Sequence, residues 1–140
     1  MTREEIAAMF ARREQAHDNE DAAALAADYA DDAVIESPMA GVHRGPAAAE
    51  RAFDAVFTAY GDMKRRTESL LIDGDHVAEV LNIEGTNMGS MMGLPPSGKS
   101  FRVPAVFVYE LRAGKIIRER RIFDFTGLLV QIGVLKARPA

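Results

Sequence analysis

The sequence predicts a single α+β domain over residues 1–140, and three observations support this prediction. Apolar side chains recur at helical spacing in the part of the chain before Met63. After Met63 the pattern changes to alternating and β-branched stretches, and the turn sequence Asp73-Gly74-Asp75 joins two of them. Three helices with one early strand, followed by a four-stranded antiparallel meander, form a fold of this class.

The first two helices are predicted from a cap and from composition. Thr2 and Glu5 have the spacing of a capping box, so a helix begins there and runs to about His17. The alanine-rich segment that continues through Leu25 and Tyr29 predicts a second helix, which Asp31-Asp32 ends. Both helices come before the first strand.

A short strand and a third helix follow. The β-branched pair Val34-Ile35 predicts a strand that ends at Pro38. Gly45-Pro46 begins the third helix, because proline suits the first position of a helix. The apolar stripe on this helix, which we expect to be buried, consists of Phe53, Val56, Phe57 and Tyr60.

The remaining chain is predicted to be rich in strands. Strands are expected at Met63–Ile72, Val77–Thr86 and Phe101–Leu111, with a last strand after the turn at Arg112-Ala113-Gly114-Lys115. The loop Met88–Gly98 contains several glycines and prolines and is expected to be irregular.

Asp124 ends the last predicted strand and is the first candidate for chemistry. It follows Ile122 and Phe123, and a carboxylate among apolar side chains is costly to bury unless it is paired, protonated or used. If Ala113-Gly114 forms a two-residue turn, Val103 pairs with Asp124, and the carboxylate lies on the apolar face of the sheet. In such a setting its pKa would rise towards neutral pH, where proton transfer is efficient.

Two alternatives remain for Asp124. A bulge at Gly114 would shift the pairing by one residue and move Asp124 to the opposite, mixed face. In addition, Asp124 or Thr126 precedes the apolar segment Gly127–Ile132, so either side chain could cap a helix there, and Thr126 is the better placed.

Composition excludes several classes of protein. The chain has 17 basic and 21 acidic residues and no cysteine, so neither nucleic-acid binding, disulfides nor sulfur-based zinc sites are expected. With His17, His43 and His76 scattered along the chain, we expect no metal, and no phosphate-loop motif indicates an organic cofactor. No apolar stretch is long enough for a membrane span or a signal peptide, so a cytoplasmic protein is expected.

The order of elements and several short motifs resemble a known family. The segments Gly85-Thr86-Asn87-Met88-Gly89 and Gly93–Lys99, then Asp124 and Leu128–Gly133, resemble the SnoaL-like polyketide cyclases, also called ester cyclases, of the nuclear transport factor 2-like superfamily. The resemblance implies a cone-shaped barrel of strongly curved mixed or antiparallel sheet wrapped on N-terminal helices. It also implies an aldol cyclisation of a hydrophobic polyketide-type ester without a cofactor, with Asp124 as the general acid/base.

The chain departs from the pattern of this family and of related enzymes. Asn87 stands where the family often has histidine, and Arg120-Arg121 stands where it often has Trp-His. Ketosteroid isomerases are similar in the early strand, but their catalytic base falls at Ser37 of this chain. Epoxide hydrolases of the superfamily use an Arg-x-Asp set that is missing between Met63 and Arg112. An isomerase, an epoxide hydrolase-like enzyme and a non-catalytic protein that binds small hydrophobic ligands remain as alternatives.

Further residues are candidates for contact with a small hydrophobic ligand. Arg120 could bind a carbonyl or acidic group, and the loop methionines suit a flexible apolar lid. The candidates besides Asp124 are Tyr29, Phe53, Phe57, Asn82, Glu84, Asn87, Met88, Met92, Phe107 and Arg120.

The mixed face of the sheet is expected to contact another subunit. Val106, Val108, Ile117 and Phe123 are placed on this face by the two-residue turn, and together they predict a homodimer or a higher homo-oligomer.

Overall fold

The structure is a computed structural model and describes residues 1–90 and 93–136. Its four helices are α1 (Arg3–Asp18), α2 (Ala22–Ala26), α3 (Gly45–Ala59) and α4 (Phe125–Gln131). Its six strands are β1 (Tyr29–Ser37), β2 (Gly41–Arg44), β3 (Lys64–Asp73), β4 (His76–Thr86), β5 (Ser100–Arg112) and β6 (Lys115–Phe123).

All six strands belong to one mixed sheet, in the order β2-β1-β6-β5-β4-β3. Strands β3 to β6 form the predicted antiparallel meander, whereas β1 runs parallel to β6 and antiparallel to β2. The prediction of an α+β fold with a strongly curved sheet is confirmed. The sheet is not a closed barrel, however, because β2 and β3 remain as its two edges.

Of the two predicted N-terminal helices, the first begins where the sequence predicts and the second differs in length. The capping box is confirmed: Thr2 Oγ1 accepts a hydrogen bond from the Glu5 amide at 3.1 Å, and the Glu5 carboxylate accepts one from the Thr2 amide at 2.8 Å. The second helix is much shorter than predicted, because Tyr29 already belongs to β1. Pairing of Tyr29 with Ile116 in β6 outweighs the helical preference of the preceding alanines.

The hairpin between β5 and β6 corrects the predicted faces of the last strand. Ala113 and Gly114 form the expected two-residue turn, with φ of 50° and 77° and with Leu111 opposite Ile116. The register then shifts, since Glu110 pairs with Arg118 and leaves Ile117 as an extra residue in β6. Beyond this bulge each residue of β6 lies on the face opposite to the predicted one.

The core lies between the helices and one face of the sheet, which we call the inner face. Ile6 and Phe10 of α1 and Phe53 of α3 pack with alternate residues of β4 and β5, such as Leu81 and Tyr109. The rings of Phe10 and Tyr109 meet edge to face with centroids 4.8 Å apart. Because successive side chains of a strand point to opposite faces, the residues between these core positions lie on the other side of the sheet, which we call the outer face. Among the described residues no helix has the length and apolar character needed to cross a membrane.

Candidate functional site

The inner face of the sheet and helix α3 enclose a cavity of about 70 Å³, which we call the main cavity. Aromatic rings form much of its wall, namely Phe53, Phe101, Phe107 and Phe123. Five side chains that carry polar groups also line it: His17, Ser37, Tyr60, Arg65 and Arg121. This combination of apolar walls and a few polar groups is typical of sites that bind small molecules.

Two of these polar groups have no hydrogen-bond partner in the part of the chain that the structure describes. His17 comes from the last turn of α1 and is 8% exposed, and Tyr60 ends α3 and is 2% exposed. The Nδ1 atom of His17 and the hydroxyl of Tyr60 are buried without a partner among the described residues. Burial raises the pKa of Tyr60 to about 12, so its hydroxyl remains protonated. Burial, and then the positive charges of Arg65, Arg13 and Arg121, lower the pKa of His17 well below its ordinary value.

Arg65 is fixed on the inner face by a buried carboxylate. Its guanidinium lies 3.0 Å from Glu79, which also accepts hydrogen bonds from Thr67 at 2.8 Å and from the Tyr109 hydroxyl at 3.2 Å. The guanidinium carbon lies 5.2 Å from the centre of the Phe107 ring. The carboxylate thus compensates the charge of Arg65, and the aromatic ring supports it from one side.

Arg121 is fixed in the same way by Glu119. The Arg121 Nε atom donates to Glu119, whose other oxygen accepts a hydrogen bond of 2.5 Å from the Tyr29 hydroxyl. Tyr29 in turn accepts a hydrogen bond of 3.0 Å from Arg13. Burial alone would raise the pKa of Glu119, but Arg121, Arg13 and the Tyr29 hydrogen bond outweigh burial and lower it. The guanidinium carbon of Arg121 lies 5.7 Å from the centre of the Phe107 ring.

Asp124 directly follows Phe123, which lines the main cavity. The predicted position on the apolar inner face is wrong, because the bulge at Ile117 shifts the register of β6 and the strand ends at Phe123. The Asp124 side chain is exposed and is the N-cap of α4, where it accepts a hydrogen bond of 2.8 Å from the Gly127 amide. Thr126 does not form this cap. Phe123 and Leu128 on either side of Asp124 in the chain both line the cavity.

Four of the other candidate residues are buried on the inner side. Phe53 and Phe107 line the main cavity. Phe57 packs on Phe53, and the centroid of its ring lies 6.0 Å from that of the His17 ring. The hydroxyl of Tyr29 forms hydrogen bonds with Arg13 and Glu119. Contact of these four with a ligand stays a prediction.

Two polar candidates on β4 lie away from the cavity. Asn82 and Glu84 alternate with the buried residues of the strand and face outwards, where the Asn82 amide contacts Glu68. The even-numbered residues of β4 are on the outer face, since Glu79 and Leu81 occupy the inner one.

The remaining candidates lie on the loop and on β6. Asn87 is 4% exposed, and its backbone bonds to Gly98 and Lys99 at 2.9 Å each. Met88 is 53% exposed. Arg120 is on the outer face, because the bulge reverses its orientation, and its guanidinium lies 3.4 Å from Glu36. Met92 lies outside the described residues.

A second cavity of about 280 Å³ lies beside the main cavity, between α3 and the turn from β1 to β2. Small side chains of α3 form one wall, namely Ala48, Ala52 and Ala55. The two cavities share Met39, Val56 and Arg121 as lining residues. Arg121 thus stands between a small aromatic cavity and a larger one lined by alanines.

Sequence reasoning missed the buried polar groups of this site. The sequence identifies His17 only as the end of the first helix and Arg121 only as a departure from the family pattern. Arg65, Glu79 and Glu119 lie within charged or alternating stretches that are equally typical of exposed strands. One signal was available for Glu79: it shares its strand face with the apolar residues Val77 and Leu81, so alternation alone places its carboxylate on the buried side.

The described residues offer no metal centre, since none of their histidine, aspartate and glutamate side chains form a cluster of three or more that could hold an ion. The polar groups of the main cavity are instead suited to hydrogen bonding and proton transfer with an organic ligand.

The curved sheet, the helices packed on its inner face and the enclosed aromatic cavity define a small α+β protein of the nuclear transport factor 2-like type. The family model of the SnoaL-like polyketide cyclases matches residues 7–132, and the chain belongs to this family.

Individual relatives agree with this assignment. The chain is 30% identical over 107 residues to the nogalonic acid methyl ester cyclase of Streptomyces nogalater, covering 76% of this chain and 78% of the relative. IdmH from Streptomyces antibioticus has a similar structure, with a TM-score of 0.76 and 26% identity over 91% of this chain and 98% of that one. TsrD from Streptomyces laurentii has a TM-score of 0.86 over 96% and 99% of the two chains, and at 21% identity this shows the shared fold.

Proposed function

We propose that this protein closes a ring in a hydrophobic polyketide-type carbonyl ester by an intramolecular aldol condensation. The main cavity carries this proposal, because its aromatic walls suit a flat apolar substrate and its polar groups suit carbonyl and hydroxyl oxygens. The related cyclase of Streptomyces nogalater, which is named for a methyl ester, supports an ester substrate.

In the proposed mechanism Asp124 is the general acid/base. Its carboxylate takes a proton from a carbon next to a carbonyl group, and the resulting enolate attacks a second carbonyl carbon of the same molecule. One carbon–carbon bond forms, and the new alkoxide takes the proton back from Asp124. The reaction is redox-neutral, so its balance requires no oxidant or reductant. Asp124 directly follows Phe123 and comes four residues before Leu128. This position supports the role, since Phe123 and Leu128 both line the cavity.

The size of the substrate is a further part of the proposal. The main cavity of about 70 Å³ is less than half the roughly 150 Å³ of an engineered cavity that binds benzene. We therefore infer that a polycyclic substrate also occupies the second cavity and passes Arg121. Met39 and Met63 line the main cavity and have the flexible side chains that such an adjustment needs.

The matched substitutions Asp124→Asn and Asp21→Asn test the catalytic role. Asp21 caps α2 as Asp124 caps α4, with its carboxylate 3.0 Å from the Ala24 amide. Asparagine caps helices as well as aspartate does, so both variants are expected to fold. With nogalonic acid methyl ester as the first substrate, Asp124→Asn should lower kcat by about 10²- to 10⁴-fold. Asp21→Asn should leave it unchanged. Full activity of Asp124→Asn would refute the role of the carboxylate.

A binding protein without catalysis is the second candidate function. The exposure of Asp124 and its hydrogen bond to the Gly127 amide favour this alternative, because a structural cap accounts for the residue without any reaction. Binding of hydrophobic carbonyl compounds by the wild-type protein, with no turnover of any of them, would support it.

We also propose that the outer face of the sheet forms a homodimer contact. Val106 pairs with Ile122 across β5 and β6, and Ile122 is 53% exposed. Phe123 was expected on this surface, but its side chain lines the main cavity instead. Light scattering of the wild type and of Ile122→Lys tests the contact: a dimer that the substitution dissociates supports it, and a monomeric wild type contradicts it. A cytoplasmic location stays a prediction.

A further inference from the structure

His17 is a buried polar residue of the main cavity that the proposed mechanism does not use. Its ring stands edge-on to two aromatic rings of α3, with centroids 5.4 Å from Phe53 and 6.0 Å from Phe57. Its Nδ1 atom is buried and makes no hydrogen bond within the described part of the chain. A buried polar atom without a partner costs about 1–3 kcal/mol, so an apolar residue of similar size would stabilise the fold better here.

A histidine that weakens the fold calls for a functional reason, and its surroundings indicate one. Aromatic contacts hold the ring in place, but no hydrogen bond to Nδ1 selects its orientation about the Cβ–Cγ bond. Either nitrogen can therefore be presented to the cavity. Burial and the nearby Arg65, Arg13 and Arg121 lower the pKa of the imidazole, which keeps one nitrogen free as a hydrogen-bond acceptor.

The charges around His17 restrict the chemistry of its partner. Arg65 and Arg121 line the same cavity, but Glu79 and Glu119 already compensate them. The site therefore has little excess positive charge with which to bind a carboxylate. A neutral hydroxyl group suits it better, because it donates to the imidazole and brings no net charge into the cavity.

We propose that His17 is a ligand-contacting residue whose imidazole accepts a hydrogen bond from an enol or phenol hydroxyl of an otherwise apolar ligand. Tyr60 lines the same cavity, and its hydroxyl has no partner within residues 1–90 and 93–136. It is available to donate a hydrogen bond to a carbonyl oxygen of that ligand. This inference rests on the proposed function only for the general class of ligand. It adds the substrate group that the cavity recognises and the residue that recognises it.

Phenol and toluene test the inference without any turnover, because they have nearly the same shape and differ in the hydroxyl donor. Movement of the flexible Met39 and Met63 side chains would enlarge the main cavity equally for both single-ring probes. The measured quantity is the ratio of the Kd of toluene to the Kd of phenol for the wild type, His17→Leu and the surface control His76→Leu. His76 is exposed and lies 3.1 Å from Glu110, away from the cavity. We expect the ratio to fall about three- to tenfold in His17→Leu, as the loss of one hydrogen bond predicts, and to stay constant in His76→Leu.

A second measurement makes the result independent of how the variant folds. In the wild-type protein, phenol should shift the ¹⁵N resonances of the His17 ring, and toluene should leave them nearly in place. Unchanged selectivity in His17→Leu, equal shifts with both probes, or no binding of phenol to the wild type would each overturn the inference. The outcome for Asp124→Asn does not enter this experiment, so failure of the aldol mechanism and failure of the His17 contact can be told apart.

Discussion

The buried hydroxyl of Tyr29 should contribute more to stability than the equally buried hydroxyl of Tyr109. The Tyr29 hydroxyl donates to Glu119 at 2.5 Å and accepts from Arg13 at 3.0 Å, so the substitution Tyr29→Phe removes two hydrogen bonds to charged groups. Each is worth about 1.5–3 kcal/mol, and the lower end for both gives an expected loss of about 3 kcal/mol in the free energy of unfolding.

Tyr109→Phe is the matched control. It also deletes one buried hydroxyl, but this hydroxyl makes a single hydrogen bond of 3.2 Å to Glu79. Glu79 keeps Arg65 at 3.0 Å and Thr67 at 2.8 Å, so the expected loss is only about 1.5 kcal/mol, the lower end for one such hydrogen bond. The two variants remove the same atom from the same kind of residue, and the difference between them reports on the Glu119 network.

Urea unfolding at pH 7, followed by circular dichroism, provides the assay. Equal slopes of free energy against urea for the three proteins would show that the midpoints report stability alone. If Tyr29→Phe costs no more than Tyr109→Phe, the hydroxyl of Tyr29 does not couple Arg13 to Glu119 energetically, and the reasoning is refuted.

Three further predictions concern the cavities and the loop that follows β4. Because His17 is neutral in the folded protein and takes up a proton on unfolding, wild-type stability should fall below about pH 6.5 by up to about 1.4 kcal/mol per pH unit, and urea unfolding of His17→Leu should lack this component. Ala52→Leu should narrow the second cavity and raise KM for a polycyclic ester while leaving the Kd of phenol unchanged; an unaltered KM would contradict a ligand that extends past Arg121. Gly89→Ala should destabilise the fold by about 2–4 kcal/mol, because the new Cβ would lie 2.2 Å from a backbone oxygen. Gly61→Ala, with its nearest atom at 3.5 Å, should cost less than about 1 kcal/mol, and thermal unfolding of both variants measures the difference.

Local signals in the sequence were sufficient for most elements of the fold. The capping box of Thr2 and Glu5, Pro46 at the start of α3 and the Ala113-Gly114 turn all depend on neighbouring residues and were predicted correctly. The prediction failed at Tyr29, because the strand it begins is stabilised by β6, which lies far away along the chain. Strand β2 was missed for the same reason: its four residues gain their conformation by pairing with β1.

The candidate site was harder to predict, since one inserted residue decides which side chains face the cavity. Sequence patterns do not locate the bulge at Ile117, and without it Arg120 rather than Arg121 would face inwards. His17 shows a second difficulty. The pattern of α1 alone suggests a charged side chain at a helix end, and only the packing of α3 against it produces a buried, neutral ring.

The way the polar groups are paired separates those that can move a proton from those that cannot. Glu79 and Glu119 are each bound to a buried guanidinium, so protonating either would leave a buried positive charge without a partner, which is strongly unfavourable. Asp124 and His17 are free of this constraint, because the first is exposed and the second is neutral. If a carbonyl ester is cyclised by the wild type and also by Asp124→Asn, His17 is the next residue to test as the base. The double variant Asp124→Asn/His17→Leu would then lose the activity that the single Asp124 variant retains.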